Sequence, residues 1–196
     1  MSSVPHIAIV LLAAGASTRL GRPKQLLSLN GVTLLRKTAE MASKSIAETV
    51  HVVLGYESER MKAELINLPV RIIENHQWQE GLSTSLCAGV KSLSERTEAA
   101  VILLCDQPKL STVFINKIIE TYIDTRAPLV TSRYAGTVGV PSLFDRQIFP
   151  ELLSLNGDQG AKSIIERYSK TRMEIDFPGG NDDIDSAGDE KEMNLE

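Results

Sequence analysis

Residues 99–105, Ala-Ala-Val-Ile-Leu-Leu-Cys, contain no polar side chain in seven positions. A strand with one wet face alternates polar and apolar residues. A run without alternation is the pattern of a strand covered on both faces, and such strands occupy the centre of parallel sheets. Parallel neighbours cannot be joined by tight hairpins; each connection is a crossover, usually a helix. Residues 7–12, Ile-Ala-Ile-Val-Leu-Leu, read as a second buried strand. These two runs commit the chain to an α/β architecture.

The rest of the chain supplies the crossovers. Strands are predicted at 49–54, 70–74, 128–132 and 172–177. Helices are predicted at 33–44, with Leu34, Leu35, Thr38, Met41 and Ala42 on one face, at 57–66, and at 83–93, with Leu86, Gly89, Val90 and Leu93 spaced i, i+3, i+4, i+7. Ser111 is placed to cap a helix bearing Phe114, Ile115, Ile118, Ile119 and Tyr122, and Asp158 to cap a last one bearing Ala161, Ile164, Ile165 and Tyr168. The rhythm predicts an open, mainly parallel sheet with helices on both faces. No internal repeat or linker divides the 196 residues, so a single domain is expected over 1–196.

Ligands of such sheets bind beyond the carboxyl ends of the strands. That selects the loops after Leu12, Glu74, Cys105 and Phe177. The first, Leu12-Ala13-Ala14-Gly15-Ala16-Ser17-Thr18-Arg19-Leu20-Gly21-Arg22-Pro23-Lys24, joins small residues to the cations Arg19, Arg22 and Lys24. Small residues let backbone N–H groups approach a phosphate, and the cations neutralise it. It is not a dinucleotide fingerprint, since Gly15 is followed by Ala-Ser. Nor is it a P-loop, since five residues separate Gly15 from Gly21 and Arg-Pro-Lys follows.

Asp106 follows the central run, at a strand end facing that loop, where a carboxylate is placed to ligate Mg²⁺ together with phosphate oxygens. By itself it also reads as a turn residue before Pro108. Asn75 and Ser83 are of a type that reads a base edge, while Ser83 also reads as a helix cap. Trp78 reads as packing. Asp182, Asp183 and Asp185 offer a second carboxylate, or simply begin the acidic tail.

Charge and cysteines narrow the field. Residues 182–196 carry a net −6, which leaves the body at +2 of the total −4. That is not the basic footprint of a nucleic-acid binder, and 187–196 are expected to form a flexible acidic tail. No run is long enough to span a bilayer, and the N-terminus has no basic region typical of a signal peptide, so a cytoplasmic protein is expected. Cys87 and Cys105 have no metal-ligand spacing and no adjacent base; both read as buried, inert thiols. The histidines 6, 51 and 76 form no triad or zinc pair.

Together these residues resemble a known family. Residues 12–24, followed by Gln25-Leu26-Leu27, resemble the signature of the molybdopterin nucleotidylyltransferases, in the branch similar to molybdenum cofactor cytidylyltransferase. The likeness continues in order through Asn75-x-x-Trp78-x-x-Gly81-x-Ser83, Asp106-Gln107-Pro108, Gly139-Val-Pro141-x-Leu143-Phe144 and Gly157-Asp158-Gln159-Gly160-Ala161-Lys162. The resemblance implies a Rossmann-like three-layer α/β/α sandwich of the nucleotide-diphospho-sugar transferase type. It implies transfer of CMP from CTP to the terminal phosphate of a molybdopterin-type cofactor, with Mg²⁺ or Mn²⁺ and release of pyrophosphate, and possible delivery to a molybdoenzyme client.

By that resemblance Arg19, Lys24 and Asp106 carry catalysis. Leu12, Ala13, Ala14, Gly15, Ser17, Asn75 and Ser83 bind the nucleotide, and Asp106 and Asp185 hold the metal. Ala-Ala-Gly-x-Ser, where the guanylyltransferase branch carries Ala-Gly-Gly-x-Gly, points to CTP rather than GTP. The family's Asp-Ile-Asp-Thr-Pro-Glu-Asp appears here as Asp183-Ile184-Asp185-Ser186-Ala187-Gly188-Asp189, without its Thr-Pro. Two alternatives stand beside this reading: a nucleotidyltransferase for another phosphorylated acceptor, including a GTP-using branch, and a non-catalytic molybdopterin carrier.

Overall fold

The computed structural model describes residues 5–180. In chain order its elements are β1 (Ile7–Ala13), β2 (Ser28–Leu29), β3 (Val32–Thr33), α1 (Leu34–Ser43), β4 (Thr49–Leu54), α2 (Ser58–Glu64), β5 (Arg71–Glu74), α3 (Leu82–Lys91) and β6 (Ala99–Leu104). Then follow α4 (Thr112–Thr125), β7 (Leu129–Tyr134), β8 (Thr137–Asp145), α5 (Phe149–Leu153), α6 (Lys162–Arg167) and β9 (Met173–Asp176). One seven-stranded sheet runs β5-β4-β1-β6-β8-β7-β9, and β2-β3 form a separate small ribbon.

The two unbroken apolar runs are the central neighbours. β1 pairs in parallel with β6, Ile7 opposite Ala99, and with β4 on its other side. Alternate side chains of β1 go to opposite faces. Ile7, Ile9 and Leu11 meet α1, α2 and α4 in one buried cluster, while Val10 and Leu12 meet α3, α5 and α6 in the other. The result is the three-layer α/β/α sandwich the sequence implied. Ser111 caps α4 as expected, its hydroxyl accepting from the Phe114 N–H at 3.2 Å.

Three expectations are corrected. β8 was not foreseen as a strand, because Gly139 and Pro141 interrupt it. It inserts antiparallel between β6 and β7. Its pairing with β7 shifts register between Thr131 and Ser132, so that Ser142 faces Thr131 and Gly139 faces Ser132. Pro141 lies in that irregularity, where the ladder requires no N–H.

Ser83 does not cap α3. Gly81 holds the cap position at φ 112° and ψ 173°, and the Ser83 N–H donates to Gly157 O at 3.1 Å. Asp158 does not cap the last helix either; α6 starts after Ala161, without a side-chain cap.

Candidate functional site

The loops after β1, β5 and β6 close around a cleft of about 550 Å³. Leu12, Ala13, Ala14, Gly15, Ser17, Arg19, Lys24 and Asp106 all line it. The cleft brings Asp106 to Leu12, 94 positions away in sequence, because β1 and β6 end side by side, Leu12 opposite Leu104. The loop after β9 reaches the same end of the sheet, where Gly180 O accepts from the Gln107 amide at 3.4 Å.

The first loop is shaped by its own side chains. Ser17 sits at φ 52°, in the left-handed region, and its hydroxyl accepts from the Lys24 N–H at 3.1 Å, closing the loop. Gln25, almost fully buried, donates its amide to Ala13 O at 3.1 Å and Gly15 O at 2.7 Å. Ala14 O accepts from Tyr56 N at 3.0 Å. Ala14, Gly15 and Ala16 line the cleft, and their small side chains leave the backbone open to approach by a phosphate chain. Gln25 is the functional residue the sequence reading passed over; a polar residue directly before the apolar pair Leu26-Leu27 was the available signal.

Asp106 is buried and ion-paired through Oδ2 with the Lys24 ammonium, itself only partly exposed. Its other oxygen, Oδ1, is buried with no hydrogen-bond partner among the described residues. A carboxylate oxygen desolvated in this way is costly unless a cation or donor meets it. The chemistry of this donor fits Mg²⁺, which binds one or two carboxylates and takes its remaining ligands from phosphate and water. Among the described residues no group of three metal-ligating side chains is present. Asp185, the other expected ligand, lies outside the described residues, as do Asp182, Asp183 and the 187–196 tail.

Two expected residues stand apart from the cleft. Asn75 is buried behind it. Its amide donates to Thr84 Oγ1 and Ser85 Oγ, each at 2.9 Å, and its carbonyl accepts from Gln77 N at 3.0 Å. These bonds tie the end of β5 to the first turn of α3. Ser83 is buried beside it and does not line the cleft. In their place the loop after β5 presents Trp78, Gln79 and Gly81, and Asp158 reaches in from the segment before α6. Trp78 packs edge-on to Tyr56, with ring centroids 5.4 Å apart.

Cys105 is buried as expected, while Cys87 is only half-buried. Burial first, and then the Asp106 carboxylate, push Cys105 up to about 12; burial also raises Cys87. No helix among the described residues is long and apolar enough to cross a membrane.

Comparison with known proteins agrees with this geometry. The family model described as MobA-like NTP transferase domain matches residues 9–172. The nicotine blue oxidoreductase of Paenarthrobacter nicotinovorans is 32% identical over 178 residues, covering 85% of this chain and 84% of that protein. The purine catabolism protein PucB of Bacillus subtilis is 29% identical, covering 93% of each. Rv0371c of Mycobacterium tuberculosis superimposes with a TM-score of 0.85 at 28% identity, covering 97% of this chain and 98% of that one. A manganese complex of the same protein superimposes at 0.79, covering 96% and 97%.

Proposed function

Since the chain belongs to the MobA-like NTP transferase family and has the nucleotide-diphospho-sugar transferase fold, we propose that it transfers CMP from CTP to the terminal phosphate of a molybdopterin-type cofactor, releasing pyrophosphate. The observation that carries this reading is Asp106: a buried carboxylate with one oxygen on Lys24 and the other without a partner among the described residues, in the cleft that the small-residue loop after β1 also lines.

In this reaction a P–O bond forms between the acceptor's phosphate oxygen and the α-phosphorus. The bond from the α-phosphorus to the α–β bridging oxygen breaks, and its electrons leave with pyrophosphate. The nucleophile is already an anion near neutral pH, so the chain needs no general base. Its task is alignment and charge stabilisation. The N–H groups of Ala14, Gly15 and Ala16 hold phosphate oxygens. Arg19 and Lys24 balance the charge that builds on the departing pyrophosphate, Lys24 exchanging its Asp106 partner for phosphate. Asp106, with Asp185 as the proposed second carboxylate, would hold Mg²⁺ or Mn²⁺, which supplies further charge neutralisation on the phosphate oxygens; the manganese complex of Rv0371c supports the choice of a divalent ion. Cytidine preference rests on Ala14 and Ser17, and a molybdoenzyme is the proposed client.

Removing Lys24 or Asp106 deletes an electrostatic contact to the transition state, worth about 10²-fold or more in turnover. Pyrophosphate release from CTP, GTP and UTP with a molybdopterin acceptor is the test, run on Lys24→Ala and Asp106→Ala. Wild-type turnover in both variants overturns the assignment. The Paenarthrobacter relative is named an oxidoreductase, so the same samples are also assayed for nicotinamide oxidation. The first loop, lacking G-x-G-x-x-G, predicts none.

A further inference from the structure

Among the described residues, two buried side-chain atoms have no hydrogen-bond partner, Asp106 Oδ1 and Gln107 Oε1, and they belong to consecutive residues. The first is the oxygen assigned above to the divalent ion. The second takes no part in the reaction as described. Gln107 is only 2% exposed, so its carboxamide lies wholly within the protein.

Its orientation is settled by what it faces. Val140 O, at 3.0 Å, and Gly180 O, at 3.4 Å, are both carbonyl oxygens, which only accept. The amide nitrogen, with its two N–H groups, must therefore point at them, and the amide oxygen is left over. A strut serving stability alone could be an apolar side chain of the same length, which leaves no buried oxygen unpartnered.

One side chain thus ties three segments: the end of β6, β8, and the chain after β9. Both anchors are stiff. Val140 O also accepts from the Tyr134 hydroxyl at 3.3 Å. The Gly180 N–H donates to Phe177 O at 3.0 Å. Gly180 fits its corner only without a side chain, since a Cβ there would lie 2.5 Å from both Phe177 Cδ1 and Tyr134 Cδ1. Phe177 in turn stacks on Phe114, with ring centroids 4.3 Å apart. The chain therefore leaves the sheet at a fixed point beside the residue that follows Asp106. Asp185 comes five residues after Gly180, and five residues span at most about 17 Å.

We propose that Gln107 is a positioning residue for the metal site: by holding Gly180 O beside Asp106, it brings Asp185, the second carboxylate, to the ion. This rests on the reading that Asp106 and Asp185 share a divalent ion. Gln107 acts through Asp185 and touches neither the ion nor the substrates.

The test is Mn²⁺ binding to the full chain with CTP present, read from the electron paramagnetic resonance of free Mn²⁺. Wild type, Gln107→Met, Asp185→Asn and the double variant are compared. Met keeps the length of the side chain but donates no hydrogen bond. Gln107→Met should weaken Mn²⁺ about ten-fold, the scale of a lost contact that orients a metal ligand. CTP affinity without metal should be unchanged, since Gln107 does not line the cleft. In the Asp185→Asn background the same substitution should have no further effect on Mn²⁺. In turnover, the Mn²⁺ concentration for half-maximal rate should rise while the rate at saturating Mn²⁺ is kept. If Gln107→Met fails to fold, Gln107→Asn, one methylene shorter, takes its place in the cycle. Unchanged Mn²⁺ affinity with a lowered urea midpoint would make the strut merely structural and overturn the proposal. An equal loss in both backgrounds also overturns it. Unchanged Mn²⁺ affinity in Asp185→Asn overturns it together with the assignment of Asp185. Absence of pyrophosphate release from CTP with a molybdopterin acceptor would sink the transferase reading instead, while leaving the Mn²⁺ cycle intact.

Discussion

In the half of the sheet made by β5, β4, β1 and β6, every strand runs the same way. Within β1, β4 and β6 the sole buried polar side chain is His51. In the other half β8 runs against both its neighbours, and Thr131, Ser132 and Ser142 are buried within the ladder. The apolar half has no room for chemistry along its strands, so its polar residues collect where the strands end, and there the nucleotide cleft forms. The mixed half uses polar side chains internally, where Thr131, Ser132 and Ser142 hydrogen-bond across the register shift. Substitutions should divide accordingly. Changes at the strand ends of the first half strike turnover, and changes inside the second strike stability.

The largest effect on stability is expected where the loop after β5 meets the segment before α6. Gly81, at φ 112°, has no room for a side chain: a Cβ would lie 2.3 Å from Gly157 C and 2.7 Å from Asp158 N. Both contacts are to backbone, which cannot swing aside. Gly81→Ala combines a glycine-only conformation with this collision and should cost about 3 kcal/mol or more. It should also displace Trp78 and Asp158 from the cleft. Urea unfolding measures the first effect and CTP titration the second. A loss below about 1 kcal/mol would mean that the junction yields, and the two halves would no longer be one rigid frame.

Thr131→Val is a sharper test of the mixed half. It keeps the volume and removes a hydroxyl that donates to Gly139 O and lies 2.8 Å from Ser142 Oγ. Leaving buried groups with fewer partners should cost about 1–2 kcal/mol. Turnover at saturating substrates should stay within about two-fold, because the cleft is untouched. A ten-fold loss of turnover at unchanged stability would break the comparison.

The same division explains what the sequence disclosed. The parallel half was legible because burial on both faces leaves an unbroken apolar run, as at residues 99–105, and the strand-end rule then located Lys24 and Asp106. β8 was hidden because Gly139 and Pro141 read as breakers, and only the register shift opposite Thr131 and Ser132 makes them tolerable. Asn75 shows a further limit of residue type. An amide suits a base edge and a loop strut equally well, and only its three hydrogen bonds distinguish them. Asp158 was read as a cap, yet the helix begins later and leaves it facing the cleft.

The smallest effect concerns His51, the polar exception in the apolar half. It is buried in β4, its Nδ1 is 2.7 Å from Ser92 Oγ, and Arg71 lies opposite it on β5. Burial, and then the Arg71 charge, hold the imidazole below its ordinary value of 6.5. In the unfolded chain that value returns. As pH falls below about 6.5 the unfolded state therefore takes up the proton first, and stability drops until the folded imidazole also titrates. Above that window His51 contributes no slope. Carboxylates act in the same direction at lower pH, so the contribution is read as a difference between wild type and His51→Gln. The variant should lose less stability between pH 7.5 and 5.5, with turnover unchanged at pH 7.5. Equal slopes would show that the folded strand accommodates the charged ring, and that this half of the sheet is less strictly apolar than its burial implies.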